Sequence, residues 1–243
     1  YWILNSFQDD HSKLNPFKRF FWELNWRIKR IFLIKFYKWD DLNFEEEYVY
    51  FPLQYQPEMS MMLYAPYYYN QISVIQNLAK SLPINFKLVV KEHTIMLGKR
   101  ERNFYREISK ISNVLLVNPF ENSINIVKKS SLVFTITSTV GLEALILKKP
   151  VIALGSVYWK LCPLVFDAKN IAPTLWFQLI KKALKYKYDD DLLIRFFCSF
   201  FDRSFKGSYM EPLFDLKKVL SKTNLKTLEE NLISYMKLNK LIP

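Results

Sequence analysis

A chain of 243 residues, half of them apolar, can bury one sizeable core, and a formal charge of +12 points to an anionic partner: nucleic acid, anionic lipid, a nucleotide or an acidic sugar. The longest uncharged run, residues 59–79, carries Pro66, Asn70, Gln71, Gln76 and Asn77, too many polar groups for a membrane span. Two cysteines, Cys162 and Cys198, stand far apart in no metal-like spacing, which fits free thiols in a reducing compartment.

The chain begins at Tyr1 rather than Met, with no secretory signal, and reads as a fragment or a trimmed chain. Residues 1–15 are polar and irregular. Asn15-Pro16 opens a helix over residues 16–39, in which Phe17, Phe20, Phe21, Leu24, Ile28, Ile31 and Phe32 recur at helical spacing among lysines and arginines. Two readings stay open for this amphipathic basic helix. It lies on an anionic membrane surface, or it packs its aromatic face on the rest of the protein.

Residues 40–47 are an acidic linker, and residues 48–53 alternate as a strand that runs out into Gln54, Tyr55, Gln56, Pro57 and Glu58. A helix is expected over 69–82. Residues 86–90 form a strand that delivers Lys91, Glu92 and His93 at its carboxyl end. A charged helix (101–111), a strand (114–117) and a short helix (123–129) capped by Asn122 or Ser123 follow.

Residues 132–155 then read as one unit: a buried strand, a small-hydroxyl turn (Thr137, Ser138, Thr139), a helix with Gly141 in its first turn, a stop at Lys148-Lys149-Pro150, and a second apolar strand. Short apolar strands joined by helices imply a parallel sheet with right-handed crossovers. The expected fold is therefore α/β, a Rossmann-like parallel sheet with flanking helices. Beyond Gly155 come a loop with Tyr158 and Trp159, two helices (174–184 and 190–201), a break at residues 206–208 and a charged helical tail. The expected organisation is an amphipathic basic helix and linker (1–47), a Rossmann-like ligand-binding α/β domain (48–207) and a helical tail (208–243).

Open parallel sheets bind ligands at the carboxyl ends of their strands, which singles out three clusters. Thr137, Ser138 and Thr139 offer hydroxyls and backbone N–H groups at a helix start, where a phosphate can sit; equally, Ser138 can simply cap the helix. Gly141 would let a ligand or a neighbouring backbone approach, and Glu143 could accept bonds from ribose hydroxyls. Lys91, Glu92 and His93 combine a cation, a carboxylate and one of only two histidines, His93 being the candidate for holding a phosphate or moving a proton. Glu58 could supply a catalytic carboxylate, although Glu58 and Glu92 can also be read as solvated loop residues. There is no G-x-G-x-x-G, no P-loop and no metal-ligand cluster, and basic residues spread over every helix instead of forming a nucleic-acid surface. No metal, no separate cofactor and no nucleic-acid partner are expected.

The succession FPLQYQPE (residues 51–58), VKEH (90–93) and TITSTVGLEALILKKPVIALG (135–155) resembles the capsule polysaccharide biosynthesis family, which includes the bacterial retaining β-Kdo transferases. The resemblance covers residues 48–207. It implies the nucleotide-sugar half of a GT-B glycosyltransferase, a CMP-activated acidic sugar as donor, and a lipid-linked or oligosaccharide acceptor. It also implies a cytoplasmic site, peripheral at the inner membrane if the basic helix docks there. By position, His93, Lys91 and Glu92 would meet the donor phosphate, and Ser138, Thr139 and Glu143 would hold phosphate and ribose. Gln54 matches the family's glutamine, and Glu58 falls at its catalytic carboxylate. Thr94 stands where the family usually has Pro, and Glu58 where Asp is more frequent. Two other functions share these features: a non-catalytic partner in capsule assembly or export, and a nucleotide-sugar epimerase.

Overall fold

The computed structural model describes residues 16–101, 103–207 and 219–238. Its centre is a six-stranded, wholly parallel sheet in the order β3-β2-β1-β4-β5-β6. The strands are β1 (Tyr48–Pro52), β2 (Lys87–Lys91), β3 (Val114–Val117), β4 (Leu132–Thr135), β5 (Val151–Ala153) and β6 (Val165–Asp167). β1 pairs with β2 from Tyr48↔Lys87 to Pro52↔Lys91 and, on its other side, with β4 at Val49↔Leu132 and Tyr50↔Val133. The strand order therefore reverses between β1 and β4, and the loops leaving these strands diverge to leave a crevice.

The strands are apolar on both faces because both faces are covered. Val49, Phe51, Leu88, Val90, Leu116 and Phe134 share one core with residues of α3 (Gln71–Lys80), α4 (Phe104–Ser109) and α7 (Trp176–Leu184). On the other face Tyr48 is wholly buried and donates from its hydroxyl to Ile126 O (2.8 Å) in α5 (Ser123–Lys129). α6 (Val140–Ile146) lies beside α5 and packs on β4. With Trp159 and Trp176 also fully buried, the aromatic wealth of the chain is partly spent on filling this core.

Two elements went unread in the sequence. β6 has only three residues, and α2 (Met59–Tyr64) with a 3₁₀ turn at Pro66–Tyr68 lies inside the polar-interrupted run. The helix expected over 69–82 is shorter, because Asn70 caps it by accepting from Ser73 N (3.1 Å). The acidic linker is tied down at its start. Asp40 bonds both the amide and the carbonyl of Leu116 on β3, closing an otherwise open sheet edge (2.7 and 3.0 Å).

The basic helix, α1 (Pro16–Phe36), belongs to the same compact unit as the sheet, which runs through Asp189, so the expected boundary at 47/48 does not separate two bodies. Leu33, Tyr37 and Trp39 pack on the core, and Arg30 donates to Thr94 O (2.7 Å). Gly98, at φ +89°, lies so close under the helix that a Cβ there would stand 2.5 Å from Trp26 O. The expectation that the aromatic face packs inward fails for Phe20, Phe21, Leu24, Ile28, Ile31 and Phe32, all of which are exposed. Docking uses the opposite side of the helix.

The second unit begins at Asp190 rather than at 208. Its α8 (Asp190–Asp202) stacks Phe196 on Phe200 and Phe197 on Phe201, and its α9 (Lys222–Leu238) sets Leu228 over Gly207 and Tyr235 against Phe205. The expected 208–243 tail is thus in part α9, and residues 208–218 and 239–243 lie outside the described residues. Among the described residues no helix is long and apolar enough to cross a membrane.

Candidate functional site

The loops leaving β1, β2 and β4 enclose a cavity of about 380 Å³, within the range of small-molecule sites. Glu58, Lys91, His93, Thr137, Ser138, Thr139, Glu143 and Gln54 all line it, so eight of the ten residues singled out in the sequence meet at the switch point of the sheet. Tyr55, Thr94 and Ser123 line it as well. A larger cavity of about 650 Å³ lies between α1 and the segment from Gly98 to Arg106 and contains none of these strand-end groups.

Lys91 ends β2 with its side chain almost wholly buried, and its ammonium donates to Ser123 Oγ (3.0 Å). Burial pulls its pKa below the usual lysine range, while the carboxylates of Glu121, Glu143 and Glu92 pull the other way. Ser123 is available because Asn122 does the capping, accepting from Ile124 N (2.9 Å) and Asn125 N (3.2 Å). Glu143, across the cavity on α6, is raised above the ordinary glutamate value by burial, with Lys91 acting against this. A buried cation faces a carboxylate that is reluctant to ionise, which leaves room for a second anion.

His93 is exposed to the cavity mouth and accepts from Ile95 N at Nδ1 (3.3 Å). That bond fixes Nε2 as the protonated nitrogen of the neutral ring. Desolvation lowers its pKa below 6.5; Glu92 and Glu58 oppose this, and Lys91 and Arg100 add to it. His93 is thus a neutral N–H donor at neutral pH, with Tyr55 edge-on at 6.2 Å between ring centres. Glu58 immediately precedes α2 in extended backbone (φ −135°, ψ 138°), and its carboxylate caps nothing. Its carbonyl accepts from Met62 N in the helix (3.1 Å), while the half-buried residue lines the cavity.

Gln54 positions rather than reaches out. Its Nε2 donates to Pro52 O (3.1 Å) and to Thr135 Oγ1 (3.5 Å), its Oε1 accepts from Thr137 Oγ1 (3.1 Å), and its backbone exchanges two bonds with the Gln71 amide. The exits of β1 and β4 are locked together through it.

Three expectations need correction. In the 137–139 turn Ser138 N is already taken, since it donates to Thr135 Oγ1, and Ser138 Oγ accepts from Val140 N, the first amide of α6 (both 3.2 Å). Ser138 therefore serves the helix start from one residue ahead of the N-cap position, which Thr139 holds without a side-chain bond, although its hydroxyl hydrogen can still be donated into the cavity. Gly141 makes room not for a ligand but for an indole: a Cβ would lie 2.3 Å from Cη2 of the buried Trp159. Glu92 does not reach the cavity. It is fully buried, paired with Arg100 through both carboxylate oxygens (2.7 and 3.0 Å), and it also accepts from Tyr105 OH (3.0 Å) and His93 N (2.7 Å). His11 lies outside the described residues.

Arg100 escaped sequence reasoning. Besides Glu92 it donates to Gln54 O and Gln56 Oε1 (both 2.6 Å), so one guanidinium pins the β1 exit to the β2 exit. Its only sequence signal was an arginine eight residues after a glutamate, across a loop with no periodicity. Among the described residues no group of side chains is placed to hold a metal ion.

A parallel sheet ordered 3-2-1-4-5-6, with cation, imidazole, carboxylates and hydroxyls gathered at its switch point, defines a Rossmann-like α/β domain with a candidate ligand site. Residues 31–185 match the family described as capsule polysaccharide biosynthesis protein. The chain belongs to the capsule polysaccharide biosynthesis family. It is similar to Protein FixF of Sinorhizobium fredii, with 29% identity over 170 residues, 68% of this chain and 40% of that protein. Among solved structures it is similar to the β-Kdo 2,7 transferase of Thermosulfurimonas dismutans KpsC (24% identity, TM-score 0.42, 64% of this chain and 47% of that one). It is likewise similar to the β-Kdo 2,4 transferase of the same protein (18% identity, TM-score 0.44, 74% and 55%). The chain thus spans about half the length, or less, of these relatives.

Proposed function

We propose that this chain is the nucleotide-sugar half of a GT-B glycosyltransferase of bacterial surface polysaccharide synthesis, taking a CMP-activated acidic sugar of the Kdo kind as donor. The observation that carries this reading is the convergence of Glu58, Lys91, His93 and Ser138 on one cavity at the sheet's switch point. Family membership supports the biosynthetic context. A lipid-linked or oligosaccharide acceptor would approach from the cytoplasm.

Lys91 Nζ and the Nε2–H of neutral His93 would bind the donor phosphate, with Ser138 donating its hydroxyl hydrogen and Glu143 accepting from the ribose. In a retaining reaction the Glu58 carboxylate attacks the anomeric carbon, and the bond to phosphate oxygen breaks with its electron pair leaving on CMP. The acceptor hydroxyl then displaces Glu58 from the same carbon, which restores the Glu58 carboxylate, and gives up its proton to water. Lys91 and His93 stabilise the charge that develops on the departing phosphate.

Calorimetric titration of CMP against the wild type, Ser138→Ala and His93→Ala tests the site. Weaker binding in both variants is expected, and unchanged affinity in both would overturn the assignment. A donor turnover assay adds the class of reaction: loss in Glu58→Gln with CMP affinity retained supports transfer. Release of a free sugar with no acceptor present would favour an epimerase, and CMP binding without any turnover a non-catalytic assembly partner.

A further inference from the structure

We infer that α1 is an interfacial helix, docked on the protein by one side and carrying on its opposite side a stripe that enters the surface of an anionic lipid bilayer. At 3.6 residues per turn, Trp26, Arg30 and Leu33 fall on one side, the side that meets Gly98, Thr94 and the core. Phe20, Phe21, Leu24, Ile28, Ile31 and Phe32 fall within a band of about 120° centred opposite to it, with Ile28 and Phe32 also bordering the cavity beside Gly98 and Arg106. These six are 42 to 65% exposed, an unusual amount of contiguous apolar surface for residues in regular helix.

The rims of the stripe decide what covers it. Lys18 and Lys29 flank it on one edge, Arg27 on the other, and Lys35 lies along it; the whole helix has six basic residues (Lys18, Arg19, Arg27, Lys29, Arg30, Lys35) against Glu23 alone. A second copy of the chain would set two such helices against each other, with like charges repelling along both rims. An anionic headgroup layer complements them instead, each basic residue strengthening binding about fivefold near such a surface. Phenylalanine and leucine in the acyl boundary with lysine and arginine among headgroups is the arrangement of helices that lie flat in the interface. α1 is too charged to cross the bilayer, so it lies on it. Docking through Trp26, Arg30 and Leu33 presents the stripe pre-formed, so little ordering is needed at the membrane.

Flotation of the full 243-residue chain with vesicles of phosphatidylcholine alone, and of phosphatidylcholine containing about a third phosphatidylglycerol, tests this. Binding to the anionic vesicles only, weakened by high salt, is expected. Lys18→Gln with Lys29→Gln should weaken it about 25-fold, from about fivefold at each site. Phe21→Ser with Ile28→Ser should weaken it at least about tenfold. Circular dichroism and CMP titration show that each variant is folded; should the serine variant not fold, the lysine pair, being on the surface, still decides. Equal binding to neutral vesicles, no binding, or binding indifferent to both variants overturns the proposal. So does self-association by light scattering that Phe21→Ser with Ile28→Ser abolishes, which would assign the stripe to a second copy.

Discussion

Lys91, Glu92 and His93 follow one another at the end of β2, yet they serve two regions of opposite character. Glu92 turns inward to a dry knot with Arg100, Tyr105 and the β1 exit, in which each charge is answered by a partner. Lys91 and His93 turn outward to the cavity, where Lys91 donates to Ser123 and His93 accepts from the backbone amide of Ile95. Extended backbone sends successive side chains to opposite sides, so a three-residue run can hold a site together and furnish it at once. The inner region spends its hydrogen-bonding capacity on the protein; the outer one leaves part of it facing the cavity.

The largest effect expected follows from breaking the inner region. Glu92→Ala leaves the Arg100 guanidinium buried without its carboxylate, and loss of one partner of a buried pair costs about 3–5 kcal/mol. Urea denaturation should read that loss. A loss below about 1 kcal/mol, together with a direct loss of CMP affinity, would move Glu92 to the outer region and erase the distinction.

Lys91→Met probes the other side of the divide. A methionine fits the buried stem without the cost of a desolvated ammonium, so stability should change by less than about 1 kcal/mol. Affinity for CMP should drop by about 1.5–3 kcal/mol, the worth of a hydrogen bond to a charged group. Calorimetry and denaturation on the same variant separate the two; a stability loss with affinity intact would assign Lys91 to the knot.

Gly141→Ala tests whether the α6 start is packed or open. Alanine is the better helix former by about 1 kcal/mol. Its Cβ, however, would press on Trp159, whose indole is fully buried and cannot swing aside. Overpacking should win, with a net loss of about 1–3 kcal/mol and CMP affinity unchanged, and Trp159→Leu in the same chain should restore part of it. A drop in affinity without a drop in stability would return Gly141 to the ligand.

The strands and the switch-point cluster were legible because both rest on local signals: apolar runs bounded by breakers, and polar residues where such runs end. The side on which a polar residue falls was not. Glu92 and Lys91 look alike in sequence, and only the arrival of Arg100, from a loop without periodicity, draws one of them inside. Gly141 likewise suggested an approaching ligand, because the indole that fills the space comes from a 3₁₀ turn at Tyr158–Leu161 in what reads as a loop. β6 was missed because its three residues, only partly buried and ending on Asp167, lack the wholly apolar run that marks the equally short β5. In α1 the hydrophobic pattern was plain, but its direction depended on Gly98 and Thr94, far along the chain from the Trp26 and Arg30 they meet.

The smallest effect is a matter of sign. With its pKa held below 6.5, His93 takes up a proton less readily in the folded chain than in the unfolded one, so His93 makes stability fall as pH drops below 6.5. A bound phosphate works the other way: it favours the imidazolium, so affinity should rise over the same interval. Burial, Lys91 and Arg100 set the low starting point, and Glu58 and Glu92 moderate it. The methyl ester of cytidine 5′-phosphate keeps one negative charge throughout, which removes the titration of the ligand from the measurement. Between about pH 7.5 and about pH 5.5 its affinity for the wild type should rise less than about tenfold, and His93→Gln should flatten the curve. The same substitution should also flatten the His93 share of the stability profile. Opposite slopes in the wild type, both lost in His93→Gln, would put the ring against the phosphate. A stability slope lost with no affinity slope to lose would leave His93 a titrating group at the cavity mouth that the ligand never meets.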